Sequence, residues 1–117
     1  GRILDRYLAR VLTLVAMQMR IASPELTDQH YAEHLDKPWY PQLRDFLTSG
    51  PLVALVVEGE RAIEAVRRLN GATDALAAEP GSIRGDWSVS GRENLVHGSD
   101  SPASAIREIT LWFPGLR

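Results

Sequence analysis

The sequence contains three histidines, and His97 is the one best placed to do chemistry. It ends a short apolar segment and comes directly before a Gly-Ser-Asp turn. In α/β folds, reactive groups and bound anions often lie where a strand ends and leads into a helix. A neutral imidazole there can act as a base, a metal ligand or a nucleophile, whereas the alternative is a histidine that only closes a turn. His97 is therefore the first candidate for a catalytic residue.

The other two histidines, His30 and His34, are four residues apart on one predicted helix, so both could face a metal ion. The residues between them do not follow the H-E-x-x-H pattern, and no third ligand is evident. We interpret both as surface histidines of that helix, and we predict no metal site made by protein side chains.

Phosphate recognition in this chain has to depend on arginine or on backbone N–H groups, because there are twelve Arg and a single Lys. Arg84 lies in a glycine-flanked turn, and its planar donor fork suits a phosphate. Arg67 ends a predicted helix, where its alternative role is to complement the helix dipole. Trp39 can stack on a base or belong to the core. Glu108 borders the apolar face of the last helix and can reach His97, or else it is a solvated charge.

Composition limits the possible classes of protein. A chain of 117 residues that is 44% hydrophobic is typical of one globular domain. It has no apolar run of the ~18 residues that a membrane span needs. Its formal net charge of −2 argues against a general nucleic-acid binder. The lack of cysteine excludes disulfides and thiolate chemistry, and it is compatible with a reducing cytoplasm.

Hydrophobic spacing predicts helices alternating with three short strands, which favours an α/β or α+β sandwich with a thin sheet. Ser23-Pro24 and Ser101-Pro102 are typical helix starts, and Gly71 is a typical helix end. The predicted helices cover 2–11, 23–35, 41–48, 60–69 and 103–113, the strands cover 12–22, 52–57 and 94–97, and a long loop covers 70–93.

These residues together resemble the nucleoside diphosphate kinase family, over nearly the whole chain from Gly1 to Phe113. The most specific match is the segment Asn94–Ser101, which reads NLVHGSDS. Further matching segments occur in the family's order: His30–His34, Asp36–Pro38, Ser49–Pro51, Glu58-Gly59, Pro80–Asp86, Glu108-Ile109 and Leu111–Phe113.

The resemblance implies an α+β fold, a ferredoxin-like sandwich with a four-stranded antiparallel sheet. The family's first strand, which carries a Lys-Pro-Asp motif, is absent from this sequence, so we expect 1–117 to be a single but N-terminally incomplete domain. Leu8 and Val11 also depart from the family, which usually has a charged residue and a glycine there. Because a β-branched residue is unfavourable in a left-handed turn, we expect the first helix to be extended or rerouted before residue 12.

The activity implied by the resemblance is a ping-pong transfer of the γ-phosphate from a nucleoside triphosphate such as ATP to a nucleoside diphosphate. His97 would become phosphohistidine, Glu108 would orient its ring, Ser99 would support the site, and Tyr31 would lie nearby. The residues implied in nucleotide binding are Trp39 on the base, Arg67, Thr73 and Arg84 on the phosphates, and Asn94 on the sugar and phosphates.

The resemblance also implies Mg²⁺ bound through the nucleotide phosphates, a homo-oligomer (tetramer or hexamer) and a cytoplasmic location, with no membrane and no specific nucleic acid as partner. The alternative is a catalytically weak or inactive family member, a nucleotide-binding or oligomerisation module, because the strand with the lysine is missing. A metal-binding or nucleic-acid-binding module has only the His30/His34 pair or the arginine content in its favour.

Overall fold

The computed structural model describes residues 1–88 and 95–116, and in those ranges it consists of a small sheet with helices on both faces. The strands are β1 Thr13–Arg20 and β2 Leu52–Glu58. The α-helices are α1 Arg2–Leu8, α2 Pro24–His30, α3 Tyr40–Leu47, α4 Ala62–Asn70, α5 Ile83–Trp87 and α6 Pro102–Trp112. Short 3₁₀ turns occupy Ala32–His34 and Ala75–Ala77. None of the described helices is long and apolar enough to cross a membrane.

The two strands pair antiparallel, with Met17 opposite Leu55 and Gln18 opposite Ala54. The register shifts between Leu14 and Ala16. Opposed residues of an antiparallel pair point to the same face, so each face of the sheet combines alternate residues of both strands.

One face of the sheet covers the main hydrophobic core, whose buried centre is Tyr7, Leu12 and Ile83. Ile83 is completely buried, and the hydroxyl of Tyr7 donates to the side-chain oxygen of Asn70 at the end of α4. Partly buried apolar side chains complete this core: Ile3, Leu55, Val57, Ala62, Ala65, Val66, Leu69, Trp87 and Val96.

The opposite face of the sheet meets the end of α6 through polar residues. The side-chain amide of Gln18 donates to the carbonyl of Trp112 at 2.8 Å, and the Arg20 guanidinium lies 5.6 Å from the centre of the Trp112 ring. Helix α6 in turn packs against α2. This chain of contacts fixes the facing surfaces of α2 and α6, where the candidate site lies.

The helix ends expected from local sequence are confirmed. The Ser23 side chain accepts a hydrogen bond from the Leu26 amide, and Ser101 accepts one from the Ser104 amide. Gly71 ends α4 with a φ of 88°, which a glycine adopts without steric cost.

Two of the predicted segments are wrong. Residues 95–97 are not a strand, although 94–97 was expected to be one; Leu95 has a left-handed φ of 74°, and the described sheet contains only β1 and β2. A strand forms only where a second strand offers hydrogen bonds, and apolar sequence alone does not supply that partner. The predicted loop over 70–93 contains a 3₁₀ turn and α5.

The expectation for the end of α1 is also wrong. The helix stops at Leu8, and Val11 has a φ of 61°, in the left-handed turn that it was expected to avoid. The Val11 side chain is 90% exposed, so no apolar contact compensates for the strain. The turn is instead closed by its backbone, because the amide of Val11 donates to the carbonyl of Leu8 at 3.2 Å.

Candidate active site

His97, Glu108 and Ser99 form the centre of the candidate site. The Nε2 atom of His97 lies 3.2 Å from Oε1 of Glu108, and the Ser99 hydroxyl donates to the same oxygen at 2.8 Å. The Glu108 side chain is only 14% exposed, whereas that of His97 is 46% exposed. The pair therefore joins an accessible imidazole to a sheltered carboxylate, as the position of Glu108 on α6 led us to expect.

The hydrogen bonds around Glu108 keep it ionised. Burial alone raises the pKa of a carboxyl group, but the hydrogen bonds from His97 and Ser99 outweigh burial and hold the pKa of Glu108 below its ordinary value. A carboxylate in this position can accept a hydrogen bond from Nε2 of His97, and it stabilises positive charge on the imidazole ring.

His30 was expected on the surface of its helix, but it is buried in the candidate site. It is 8% exposed, at the end of α2, and its Nε2 atom lies 3.1 Å from Nε2 of His97. Its Nδ1 atom accepts a hydrogen bond from the indole N–H of Trp112 at 2.9 Å. The spacing of Leu26, Thr27 and His30 along one face of α2 was the available signal, because all three are buried.

Three polar atoms of this site, from His30, His97 and Glu108, lie within 4.8 Å of one another, a spacing compatible with a metal ion. A histidine binds a metal through an unprotonated nitrogen. Because Trp112 can only donate, it makes Nδ1 of His30 the acceptor and leaves the proton of the neutral ring on Nε2, the atom that faces the other two. The cluster is therefore poorly prepared for a metal.

Tyr31 follows His30 directly, and its ring contacts the site edge-on. Its ring centre lies 5.9 Å from that of His97 and 4.6 Å from that of His30. Burial, with a further contribution from the charge of Glu108, raises the pKa of Tyr31 to about 12, so its hydroxyl keeps its proton. The structure thus brings Tyr31 together with the catalytic candidates.

Arg84 and Arg67 donate hydrogen bonds to backbone carbonyls around His97. Arg84 is buried and donates to the carbonyls of Gly71 at 2.8 Å and Val96 at 2.7 Å, while Arg67 donates to the carbonyl of Gly98 at 3.3 Å. The sequence suggested phosphate contacts for both arginines and did not predict these backbone contacts. They hold the segment that carries His97, which is not part of the sheet that the structure describes.

The remaining predicted residues are Trp39, Thr73 and Asn94. Trp39 is the N-cap residue of α3 and is half-buried, with its ring centre 5.3 Å from that of His34. Thr73 is exposed in the turn after α4. Asn94 lies outside the described residues. The nucleotide-binding part of the prediction stays a prediction.

Comparison with known proteins decides the family. The family model described as nucleoside diphosphate kinase matches residues 1–117 of this chain. The chain belongs to the nucleoside diphosphate kinase family. The expectation drawn from Asn94–Ser101 and the accompanying segments is confirmed, and the activity is that of a nucleoside diphosphate kinase, a phosphotransferase.

Individual relatives agree with this assignment. The chain is 64% identical to a nucleoside diphosphate kinase of a Nocardioides species over 116 residues, which are 99% of this chain and 86% of the relative. It is 56% identical to the enzyme of Rhodococcus erythropolis, with 99% and 84% coverage.

Solved structures give the fold. A nucleoside diphosphate kinase of Halobacterium salinarum in complex with CDP superposes with a TM-score of 0.95 at 45% identity, covering 97% of this chain and 76% of that one. One from Encephalitozoon cuniculi superposes with a TM-score of 0.94 at 36% identity, covering 96% and 76%. The ferredoxin-like α+β fold is thereby confirmed, and within the described residues its sheet has two antiparallel strands.

Proposed function

We propose that His97 is the nucleophile of this nucleoside diphosphate kinase and that its Nδ1 atom receives the phosphoryl group. The observation that carries this assignment is the contact between the exposed His97 ring and the sheltered carboxylate of Glu108. Among the described residues, the polar contacts of the His97 ring are made through Nε2. With the proton on Nε2, facing Glu108, the lone pair of Nδ1 is available for attack.

The transfer proceeds in two balanced steps. In the first, the Nδ1 lone pair of His97 forms a bond to the γ-phosphorus of ATP, and the bond from that phosphorus to the β–γ bridging oxygen breaks. ADP leaves with the oxygen and its electron pair. In the second, a terminal β-phosphate oxygen of another nucleoside diphosphate attacks the phosphorus and the N–P bond breaks, which restores His97.

Glu108 and Ser99 support both steps in this proposal. The ring of His97 gains positive charge when Nδ1 binds phosphorus while Nε2 keeps its proton, and the Glu108 carboxylate at 3.2 Å compensates that charge. Ser99 holds the carboxylate through its 2.8 Å hydrogen bond. Tyr31 limits the movement of the His97 ring by edge contact. These groups are already in place before the reaction, which lowers its reorganisation cost.

We assign the nucleotide to the residues that the resemblance implies in its binding. We place the base on Trp39, the phosphates beside Arg67, Thr73 and Arg84, and the sugar and phosphates near Asn94. These assignments rest on the resemblance of the segments that contain them. Arg84 would act mainly by fixing the backbone at Val96, since its two Nη atoms already donate to carbonyls.

We propose that Mg²⁺ enters with the nucleotide and is held mainly by its phosphates. Mg²⁺ prefers oxygen ligands in octahedral geometry, and in the described part of the chain the one cluster of potential ligands combines two imidazoles with a single carboxylate. When bound, the ion neutralises phosphate charge; the chain itself supplies the nucleophile and the arginines.

The decisive experiment is phosphoenzyme formation from γ-labelled ATP without an acceptor. Wild type should gain an acid-labile, base-stable label that ADP removes, and His97→Ala should gain none. His34→Gln is the matched control, because it changes another histidine outside the His97–Glu108 contact, and it should keep the label. An unlabelled wild type would overturn the assignment and favour a nucleotide-binding module without catalysis.

We also propose that the protein works as a homo-oligomer, a tetramer or hexamer, in the cytoplasm, where its nucleotide substrates occur. Strand β1 exposes the large apolar side chains of Met17 (54%) and Met19 (72%), and Ile21 beside it is 64% exposed. A contiguous exposed apolar patch is typical of an interface, and a second copy of the chain is the occupant we propose. Sedimentation analysis should show that the Met19→Lys oligomer dissociates more readily than the Leu76→Lys oligomer. Leu76 is the control because it is an exposed leucine outside this patch. Equal dissociation of the two variants would contradict this interface.

A further inference from the structure

The proton position on His30 is fixed by its surroundings. Its Nδ1 atom accepts from the indole N–H of Trp112 at 2.9 Å, and an indole nitrogen can only donate. Its backbone is held as well, because Arg107 donates to the carbonyls of Gln29 and His30, both at 2.9 Å. In a neutral His30 ring, the single proton must therefore be on Nε2.

The neutral form of His30 is strongly favoured. Burial of the ring and the neighbouring His97 together lower the pKa of His30 to about 4, although the charge of Glu108 partly opposes this shift. Near neutral pH, His30 is thus a permanent donor through Nε2–H. That atom lies 3.1 Å from Nε2 of His97 and 3.9 Å from Oε1 of Glu108, so the His97 nitrogen is the nearer acceptor.

The Nε2–H group of His30 and the carboxylate of Glu108 compete for the same atom, Nε2 of His97. Nε2 of a neutral His97 carries either a proton or a lone pair, so it can donate to Glu108 at 3.2 Å or accept from His30 at 3.1 Å, but it cannot do both. The first arrangement leaves a lone pair on Nδ1. The second places the proton on Nδ1, which then has no lone pair to attack phosphorus.

We propose that His30 is a positioning residue that competes with Glu108 for Nε2 of His97 and thereby sets the fraction of His97 present as the nucleophilic tautomer. The inference rests on the proposed role of His97. Trp112 acts through His30, because its N–H fixes the proton on the side that faces His97. The two distances, 3.1 and 3.2 Å, are nearly equal, so neither partner dominates on geometry and both tautomers are populated in the enzyme without nucleotide.

The test is the tautomer of His97 in the full chain without nucleotide, read from its side-chain ¹⁵N chemical shifts at a pH where imidazoles are neutral. Wild type should show both tautomers in exchange. His30→Leu removes the donor, and the fraction with the proton on Nε2 should rise about twofold, towards full occupancy. A structural role alone would not move this ratio.

A second variant allows the proposal to be tested even if His30→Leu does not fold. Trp112→Phe keeps the buried imidazole but allows Nδ1 of His30 to carry the proton. Nε2 of His30 can then accept a hydrogen bond from Nε2 of His97. The fraction of His97 with its proton on Nε2 should therefore rise, as in His30→Leu. Trp87→Phe is the matched control, since the Trp87 ring stacks with Arg2 and Arg6 away from the site, and it should leave the ratio unchanged.

The inference is overturned if wild-type His97 carries its proton only on Nε2, or if neither variant changes the ratio. Failure of the proposed function is read separately. It would appear as a wild type that gains no phosphohistidine from labelled ATP, whereas the tautomer ratio is measured without any phosphoryl transfer.

Discussion

At the scale of single residues, Glu108 has the clearest expected effect on activity. Its carboxylate is the acceptor for both His97 and Ser99, and a neutral amide cannot compensate the positive charge that develops on the ring. We expect Glu108→Gln to lower kcat by about 100-fold, with little change in KM for the nucleotide. Steady-state kinetics checks this. The control Glu64→Gln alters an exposed glutamate paired with Arg61 and should leave kcat unchanged; a similar loss in both variants would refute the assignment.

Val11 is the residue whose replacement should stabilise the fold. Its left-handed φ of 61° costs a β-branched residue roughly 1–2 kcal/mol, and its exposed side chain returns no packing energy. The greater chain entropy of glycine in the unfolded state offsets part of the gain. We therefore expect Val11→Gly to raise the free energy of unfolding by about 0.5–1 kcal/mol in urea titrations. Arg10→Gly, in the same turn but without a positive φ, should lower it; an equal effect of both changes would contradict the strain argument.

At the scale of elements, α5 depends on close backbone approach at Gly85. A Cβ atom there would lie 2.0 Å from the carbonyl oxygen of Glu79, so the glycine makes room for the chain itself. The sequence had suggested only that Arg84, in this glycine-flanked turn, suits a phosphate. Because α5 carries Arg84, its distortion also disturbs the Val96 carbonyl beside His97.

We expect Gly85→Ala to lower the free energy of unfolding by roughly 1–3 kcal/mol, although alanine is the better helix former. Denaturant titration measures this change. Gly50→Ala is the control, because a Cβ at Gly50 meets nothing within 4 Å, and its stability should stay close to that of wild type. If Gly85→Ala left the free energy of unfolding unchanged, the Glu79 carbonyl would be able to move away from the added Cβ atom.

Elements determined by neighbouring residues could be predicted, and those determined by distant partners could not. Ser23, Ser101 and Gly71 act within one helical turn, so their roles were evident from sequence. The segment 95–97 looked like a strand because it is apolar, but pairing requires a second strand that the sequence pattern cannot place. In the site, the His97–Glu108 contact joins residues 11 positions apart, whereas the His30–Trp112 bond joins residues 82 positions apart. The latter pair was missed because its two helices meet only through packing.

At the scale of the whole molecule, the buried His30 should make stability depend on pH. In the folded protein the pKa of His30 is lowered to about 4 from the ordinary 6.5, so between these values the unfolded chain binds a proton that the native state does not. The contribution of His30 is therefore complete above about pH 6.5 and is lost as the pH falls towards 4, by up to roughly 3 kcal/mol. Denaturant titrations across this range measure it.

Comparison with His30→Leu isolates the pH dependence that comes from His30. This variant lacks the titrating imidazole but retains every carboxylate. The stability of wild type relative to His30→Leu should fall as the pH is lowered from 6.5 to 4. Trp87→Phe, which loses aromatic packing away from the site, should keep the wild-type pH dependence and so show that destabilisation alone does not remove it. A constant difference between wild type and His30→Leu over this range would mean that native His30 takes up its proton as readily as the unfolded chain. In that case, burial would not hold the ring neutral.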